Sequence, residues 1–135
     1  MPKILTTEAQ LQTYITERKH MGDTIGFVPS MGALHAGHLS LGTIALTECD
    51  ICVVSIFVNP KQFAPHEDFD RYPRMLGVDA ELLGAIGVQA IFAPSVEVMY
   101  PHGFQTSVTV GDVSKPLEGE FRPHFFTGVA TVVTR

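Results

Sequence analysis

Ile51-Cys52-Val53-Val54-Ser55-Ile56-Phe57-Val58 is the stretch that decides how this chain folds. Its residues are largely β-branched and almost continuously apolar, so it reads as a strand without a solvent face, as in a parallel sheet covered on both sides. The alternation of strand and helix repeats outward from it in both directions. Toward the N-terminus, Leu39 to Leu46 is a helical stretch ending near Asp50, and before it Ile25 to Val28 is a short apolar run ending at Pro29. Farther back, Thr7-x-x-Gln10 has the form of a capping box. Leu11, Tyr14, Ile15 and Arg18 follow at helical spacing until Gly22 offers a stop, which predicts a helix over about residues 7–20. Toward the C-terminus, Val78, Leu82, Ala85 and Ile86 mark a helix closed by Gly87, and Val88 to Ala93 reads as a third buried strand closed by Pro94. Gly42, Gly77 and Gly84 fall inside these helices, each at a cost of about 1 kcal/mol relative to alanine. Repeated β-α-β units imply right-handed crossovers, so the fold class is α/β with a doubly wound parallel sheet.

The chain has 135 residues, 45% apolar and 17% charged, which suits one globular domain with a real core. Nine Lys plus Arg stand against fourteen Asp plus Glu, giving a formal net charge of -5, and no Lys/Arg run exceeds two residues. Nucleic acid and anionic membranes are therefore not expected as partners. No apolar stretch is long enough to span a bilayer, and the N-terminus lacks a basic segment followed by an apolar one, so the expected location is cytoplasmic. Cys49 and Cys52 formally read C-x-x-C, but they lead into a strand rather than opening a helix, and no second pair follows. Two buried, reduced thiols are expected, and no metal.

Asn59 to Arg74, with Pro60, Pro65 and Pro73, reads as a loop within the same domain. Its cluster of Asp68, Asp70, Arg71 and Arg74 reads as a solvated surface with local ion pairs. Beyond Pro94, Ser107 to Val110 predicts a short strand, Ser114 to Leu117 a single turn, and Phe125 to Arg135 an apolar tail. The tail stops inside what should be a regular element, so residues 1–135 are expected to form a domain cut short of a complete fold.

In open α/β sheets ligands bind beyond the carboxyl ends of the strands. The loop after the first apolar run is Pro29-Ser30-Met31-Gly32-Ala33-Leu34-His35-Ala36-Gly37-His38. Gly32 and Gly37 permit close approach of a ligand to backbone, and His35 and His38 lie three apart on one face where a helix opens. Free N–H groups and the helix dipole favour an anion there. Two imidazoles can donate to phosphate, and donors aimed at α-phosphoryl oxygens stabilise the transition state of attack more than the ground state, with no need for a base or covalent nucleophile. Taken alone, the pair is also compatible with metal ligation or with two surface histidines. A zinc site needs a third ligand, and no other histidine stands at motif spacing. Strand, proline, two glycines and helix start together favour phosphate handling.

H-x-G-H at the first strand-to-helix turn is the signature of the nucleotidyltransferase superfamily that includes class I aminoacyl-tRNA synthetases. More specifically, Phe27 to Leu41, Val54 to Phe63 and Glu67 to Arg74 resemble the pantothenate synthetase (pantoate–β-alanine ligase) family. Phe92-Ala93-Pro94-Ser95, Met99-Tyr100-Pro101, Leu117-Glu118-Gly119 and Gly128 to Val133 continue the resemblance to the end of the chain. It implies a Rossmann-like sheet of the HxGH nucleotidyltransferase type and a two-step ligase. Pantoate carboxylate attacks the α-phosphate of ATP to give pantoyl adenylate and pyrophosphate, and β-alanine amine then displaces AMP. Mg2+ accompanies the ATP, with no tightly bound prosthetic group. By position, the resemblance implies that Met31, Gly32, Ala33, Leu34, His35, Ala36, Gly37 and His38 line the ATP site. His35 and His38 would contact phosphate, with His38 at the catalytic position, and Asn59 and Gln62 would face pantoate and β-alanine. A carboxamide both donates and accepts, so it suits pantoate's hydroxyl and carboxylate. The family is dimeric, with the stretch around Asp68 to Arg74 packed beside the site and near the dimer interface.

Two departures stand out. The family has Arg-Pro-Gly-His-Phe where this chain has Arg122-Pro123-His124-Phe125-Phe126, so no role is assigned to Arg122 or His124. The later segments resembling Gly-Glu-Lys-Asp-x-Gln-Gln and Ser-Ser-Arg-Asn are missing, which makes the chain an expected N-terminal, nucleotide-binding portion without the C-terminal domain. Propensity favours a strand at Val129 to Val133, whereas the resemblance implies a helix. The alternatives are an ATP-binding domain without turnover and another HxGH nucleotidyltransferase. The segment Asn59-Pro60-Lys61-Gln62-Phe63 weighs against the latter.

Overall fold

The computed structural model describes residues 1–64, 67, 69–70 and 73–135. Asp68 and Arg71 of the charge cluster, and Pro65, lie outside the described residues. The element order is β1 (Lys3–Leu5), α1 (Glu8–His20), β2 (Ile25–Ser30), α2 (Ala36–Glu48), β3 (Ile51–Ile56), a 3-10 turn (Pro60–Gln62), α3 (Leu76–Ala85), β4 (Ala90–Phe92), α4 (Val96–Met99), a second 3-10 turn (Asp112–Ser114), α5 (Glu118–Phe121) and α6 (Phe125–Thr134). The four strands form one parallel sheet in the order β1-β4-β3-β2. Pleating sends Cys52, Val54 and Ile91 to one face, where Leu39, Ala45, Leu46, Leu83 and Ile86 of α2 and α3 cover them. Ile51, Val53, Ala90 and Phe92 point to the other face, against Leu11 and Tyr14 of α1 and Val98 and Met99 of α4. β3 is therefore buried on both sides, as its unbroken apolar run predicts.

The capping box forms: Thr7 Oγ1 accepts the Gln10 N–H at 3.2 Å while Gln10 Oε1 accepts the Thr7 N–H at 3.2 Å. α1 closes with Arg18, Lys19 and His20 in its last turn, and Gly22 follows at φ +85°. β2 runs on through Pro29, which the sequence places at the strand's end. Ser30 O accepts the Phe57 N–H and Thr24 O the Ile51 N–H, so even-numbered residues bond β3 and Pro29 faces the free edge, where its missing donor is harmless. At the other end, Asp50 Oδ2 accepts the Thr24 N–H and hydroxyl, which holds the Asp50 carboxyl below its ordinary pKa. Close packing explains two of the helical glycines. A Cβ on Gly42 would lie 2.9 Å from Ile86 Cδ1 and one on Gly84 3.1 Å from Pro2 Cδ, while Gly77 faces open space.

Three expectations need correction, and two short elements were not expected at all. β1 and α4 carry too few residues to show periodicity and were not predicted. Among the described residues no strand forms at Ser107 to Val110; instead the Val108 N–H donates to Thr131 Oγ1 at 2.9 Å. The turn expected at Ser114 to Leu117 is replaced by the 3-10 turn before it and by α5 after it. Of the two thiols only Cys52 is fully buried; Cys49, at the C-cap of α2, is half-buried, and both are free. At Val129 to Val133 the helix implied by the resemblance forms, as α6, in place of the strand that propensity favours.

Candidate functional site

His35 is the N-cap of α2, with extended backbone (φ -130°, ψ -178°). Its Nδ1 accepts the Gly37 N–H at 3.0 Å, while His38 Nδ1 accepts the His35 N–H at 3.2 Å. The two imidazoles thus cap the helix reciprocally, doing with ring nitrogens what Thr and Gln do at α1. Their centroids are 4.1 Å apart with the planes tilted by 38°. Gly37 completes the motif sterically, since a Cβ there would lie 2.8 Å from His35 Cε1.

This geometry fixes chemistry. Each Nδ1 faces a backbone N–H and must be an acceptor, so each neutral ring carries its proton on Nε2. Both rings consequently offer an Nε2–H donor beside the positive end of the α2 dipole. Burial, then the neighbouring His35, lower the His38 pKa, and Asp79 opposes them in part, so His38 is a neutral donor at pH 7. Protonation of either ring would set N–H against N–H and break the cap.

A cavity of about 440 Å3 opens beyond the carboxyl ends of β2, β3 and β4. Phe27, Pro29, Ser30, Met31, Ser55, Phe57 and Phe92 form its floor, α1 contributes Glu8, Leu11 and Gln12, and α6 contributes Val129, Val132 and Val133. Met31 and Gln62 line it together; His35 and His38 are not in its wall. Met31 and Gly32 also line a second cavity of about 300 Å3 that Asp79 enters from α3. Met31 thus borders both cavities, just ahead of the capped end of α2. Among the described residues, no group of three or more His, Cys, Asp or Glu is placed to hold a metal.

Asn59 does not line the cavity. It is 1% exposed, and its amide is saturated. Oδ1 accepts from the Lys61 N–H at 3.1 Å and from the Tyr100 hydroxyl at 2.8 Å. Nδ2 donates to Gly128 O at 3.1 Å and to Gln62 Oε1 at 2.9 Å. The backbone donor on one side and the backbone acceptor on the other fix which way the amide lies. Burial pushes the Tyr100 hydroxyl up to about 12, which keeps it a donor. Gln62 Oε1 thus accepts one hydrogen bond from Asn59, which fixes the orientation of the carboxamide and leaves a second lone pair and the Nε2–H pair for a ligand.

Arg122, given no role on sequence grounds, is a strut for the same turn. Its Nη2 donates to Gln62 O at 2.9 Å and pairs with Glu67 Oε2 at 2.7 Å, and its guanidinium lies 4.2 Å from the centroid of the Phe125 ring. Local sequence carries no signal for a contact spanning 60 residues. Arg74 similarly donates to the carbonyls of Asp70 and Phe69, both at 3.1 Å, so this part of the charge cluster orders backbone.

The family model described as Pantoate-beta-alanine ligase matches residues 3–135. The chain is 52% identical over 135 residues to a pantothenate synthetase of Cereibacter sphaeroides, covering 100% of this chain and 48% of the relative. With that of Bartonella quintana it shares 54% over 133 residues, covering 98% and 46%. The crystal structure of pantothenate synthetase from Thermus thermophilus superposes with a TM-score of 0.91 at 48% identity, over 98% of this chain and 47% of that one. The Francisella tularensis pantoate-beta-alanine ligase, complexed with beta-gamma ATP and beta-alanine, gives 0.90 at 38% identity, over 99% and 51%. The chain spans about half the length of the curated relatives it matches.

Proposed function

Because the chain belongs to the pantoate–β-alanine ligase family, we propose that it supplies the N-terminal, nucleotide- and pantoate-binding part of a cytoplasmic, homodimeric pantothenate synthetase. The substrates are pantoate, β-alanine and ATP, with Mg2+ arriving on the ATP phosphates. A pantoate carboxylate oxygen attacks the α-phosphorus and the bond to the bridging oxygen breaks, releasing pyrophosphate and leaving pantoyl adenylate. The β-alanine amine then attacks the acyl carbon, loses a proton and expels AMP.

The observation that carries this reading is the reciprocal His35–His38 cap, which leaves two Nε2–H donors together at a helix N-terminus. Aimed at phosphoryl oxygens, they meet charge that grows during attack. The backbone of Met31 to His38 approaches the nucleotide, and the Gln62 amide donates to a pantoate oxygen. Holding carboxylate and phosphorus together supplies the remaining acceleration by proximity.

The test is saturable binding of Mg-ATP by the 135-residue chain, read by calorimetry. His38→Ala is expected to weaken it tenfold or more, the worth of one hydrogen bond to a charged group at about 1.5–3 kcal/mol. Absence of binding, or equal affinity in the variant, refutes the reading. Pyrophosphate release with pantoate present and β-alanine omitted separates turnover by this chain from binding alone.

A further inference from the structure

Asp79 lies in the first turn of α3 and is 0% exposed, yet no step above uses it. Both of its oxygens leave α3 for the loop that precedes α2. Oδ2 accepts the Ala33 N–H at 2.9 Å and Oδ1 the Leu34 N–H at 3.0 Å. Two successive N–H groups can converge on one carboxylate only if the backbone is concave, and here Gly32 has φ +82° and Ala33 φ +51°. A left-handed alanine persists only where its surroundings over-determine it. Three things do so. The carboxylate holds Ala33 and Leu34, Leu34 is buried in the core between α2 and α3, and the turn sits so close that a Cβ on Gly32 would lie 3.0 Å from Asp79 Oδ2 and 2.9 Å from Ile56 Cγ2. The next residue is the N-cap His35, so the turn sets where α2 begins and how both rings leave it.

We propose that Asp79 is a positioning residue for the two phosphate-facing imidazoles. Its carboxylate locks the Gly32–Leu34 turn and so fixes the origin and direction of α2. The role of those imidazoles rests on the function proposed above; the locking of the turn does not.

Asp79→Asn keeps the volume but offers one oxygen and sets an NH2 group against the second backbone N–H. Leu83→Ala, on the same helix and 1% exposed, serves as a destabilised control. In the full chain, Asp79→Asn is expected to shift the Ala33 and Leu34 amide resonances and the His35 and His38 ring resonances, and to weaken Mg-ATP binding at least tenfold. Leu83→Ala is expected to do neither. Adding Ala33→Gly, which tolerates φ +51° unaided, is expected to restore part of the affinity. Should Asp79→Asn fail to fold, Gly32→Ala presses a methyl on the same Oδ2 and is expected to move the same resonances. Unmoved rings and unchanged affinity would overturn the proposal. If the wild-type chain binds no Mg-ATP, the nucleotide reading falls, and the ring and amide shifts alone decide whether Asp79 sets the turn.

Discussion

Gly128→Ala puts two rules in opposition. In an exposed helix the change is worth about 1 kcal/mol of added stability. Gly128, however, lies on the face of α6 that meets the Pro60–Gln62 turn backbone to backbone. A Cβ there would collide with Lys61 O and would stand 2.6 Å from Lys61 C and 2.9 Å from Gln62 N. Carbon contacts settle at about 3.5–4.0 Å, so α6 must retreat by roughly 1 Å. That overpacking costs about 1–3 kcal/mol. The retreat also stretches the bond from Asn59 Nδ2 to Gly128 O, and leaving that buried donor unmet costs a further 1–3 kcal/mol or so. The net expectation is a loss of about 3 kcal/mol, on the order of a hundredfold fall in the folding constant, because the steric and hydrogen-bond terms exceed the propensity gain. Urea unfolding measures it, with Gly77→Ala as the matched case. That glycine is also helical, but nothing lies within 4 Å of its missing Cβ, so it should gain about 0.5–1 kcal/mol. Opposite signs for one substitution in two helices are the expected result. If Gly128→Ala stabilises as Gly77→Ala does, α6 is not seated on the Gln62 turn and the account of Gln62 falls with it.

Two further outcomes follow from the lowered His38 pKa and from the buried thiol. The folded state holds His38 below the ordinary histidine pKa near 6.5, so as pH falls below that value the unfolded chain takes a proton that the folded chain resists. Stability is full above about 6.5 and is lost as pH falls toward the folded pKa; urea midpoints between pH 7.5 and 5 should show this slope, reduced in His38→Gln, and an equal slope in both proteins would contradict the cap. Burial raises the Cys52 thiol pKa, so a thiol reagent at pH 8 should modify the half-buried Cys49 first and reach Cys52 only on unfolding. Equal rates at both sites would show that the β3 core is not closed.

The parts of the fold legible in the sequence are those specified within one element. Thr7 and Gln10 announce the start of α1 because a cap is local, and Ile51 to Ile56 announces a two-sided strand because burial on both faces removes alternation. β1 is three residues long and gains its identity only by pairing with β4, so Lys3 to Leu5 show nothing by themselves. Ser107 to Val110 has strand composition but, among the described residues, pairs with no strand, and composition cannot supply a partner. At the site, the i, i+3 histidines and the two glycines were legible because helix geometry converts spacing into a shared face. Their reciprocal capping was not, since nothing in an imidazole says which nitrogen it will spend. That Asn59 would be buried and held was not legible either, because Tyr100 and Gly128 reach it from distant segments. Arg122 and Asp79 were invisible for the same reason: each acts on backbone 45 or more residues away.

The saturated amide of Asn59 also gives the cavity a direction. Because Asn59 Nδ2 holds one lone pair of Gln62 Oε1, the carboxamide cannot flip, and its Nε2–H pair and its remaining lone pair are offered in one fixed order. A ligand whose own donor and acceptor stand in the reverse order would leave groups on both sides unpaired, so this wall discriminates by orientation rather than by charge.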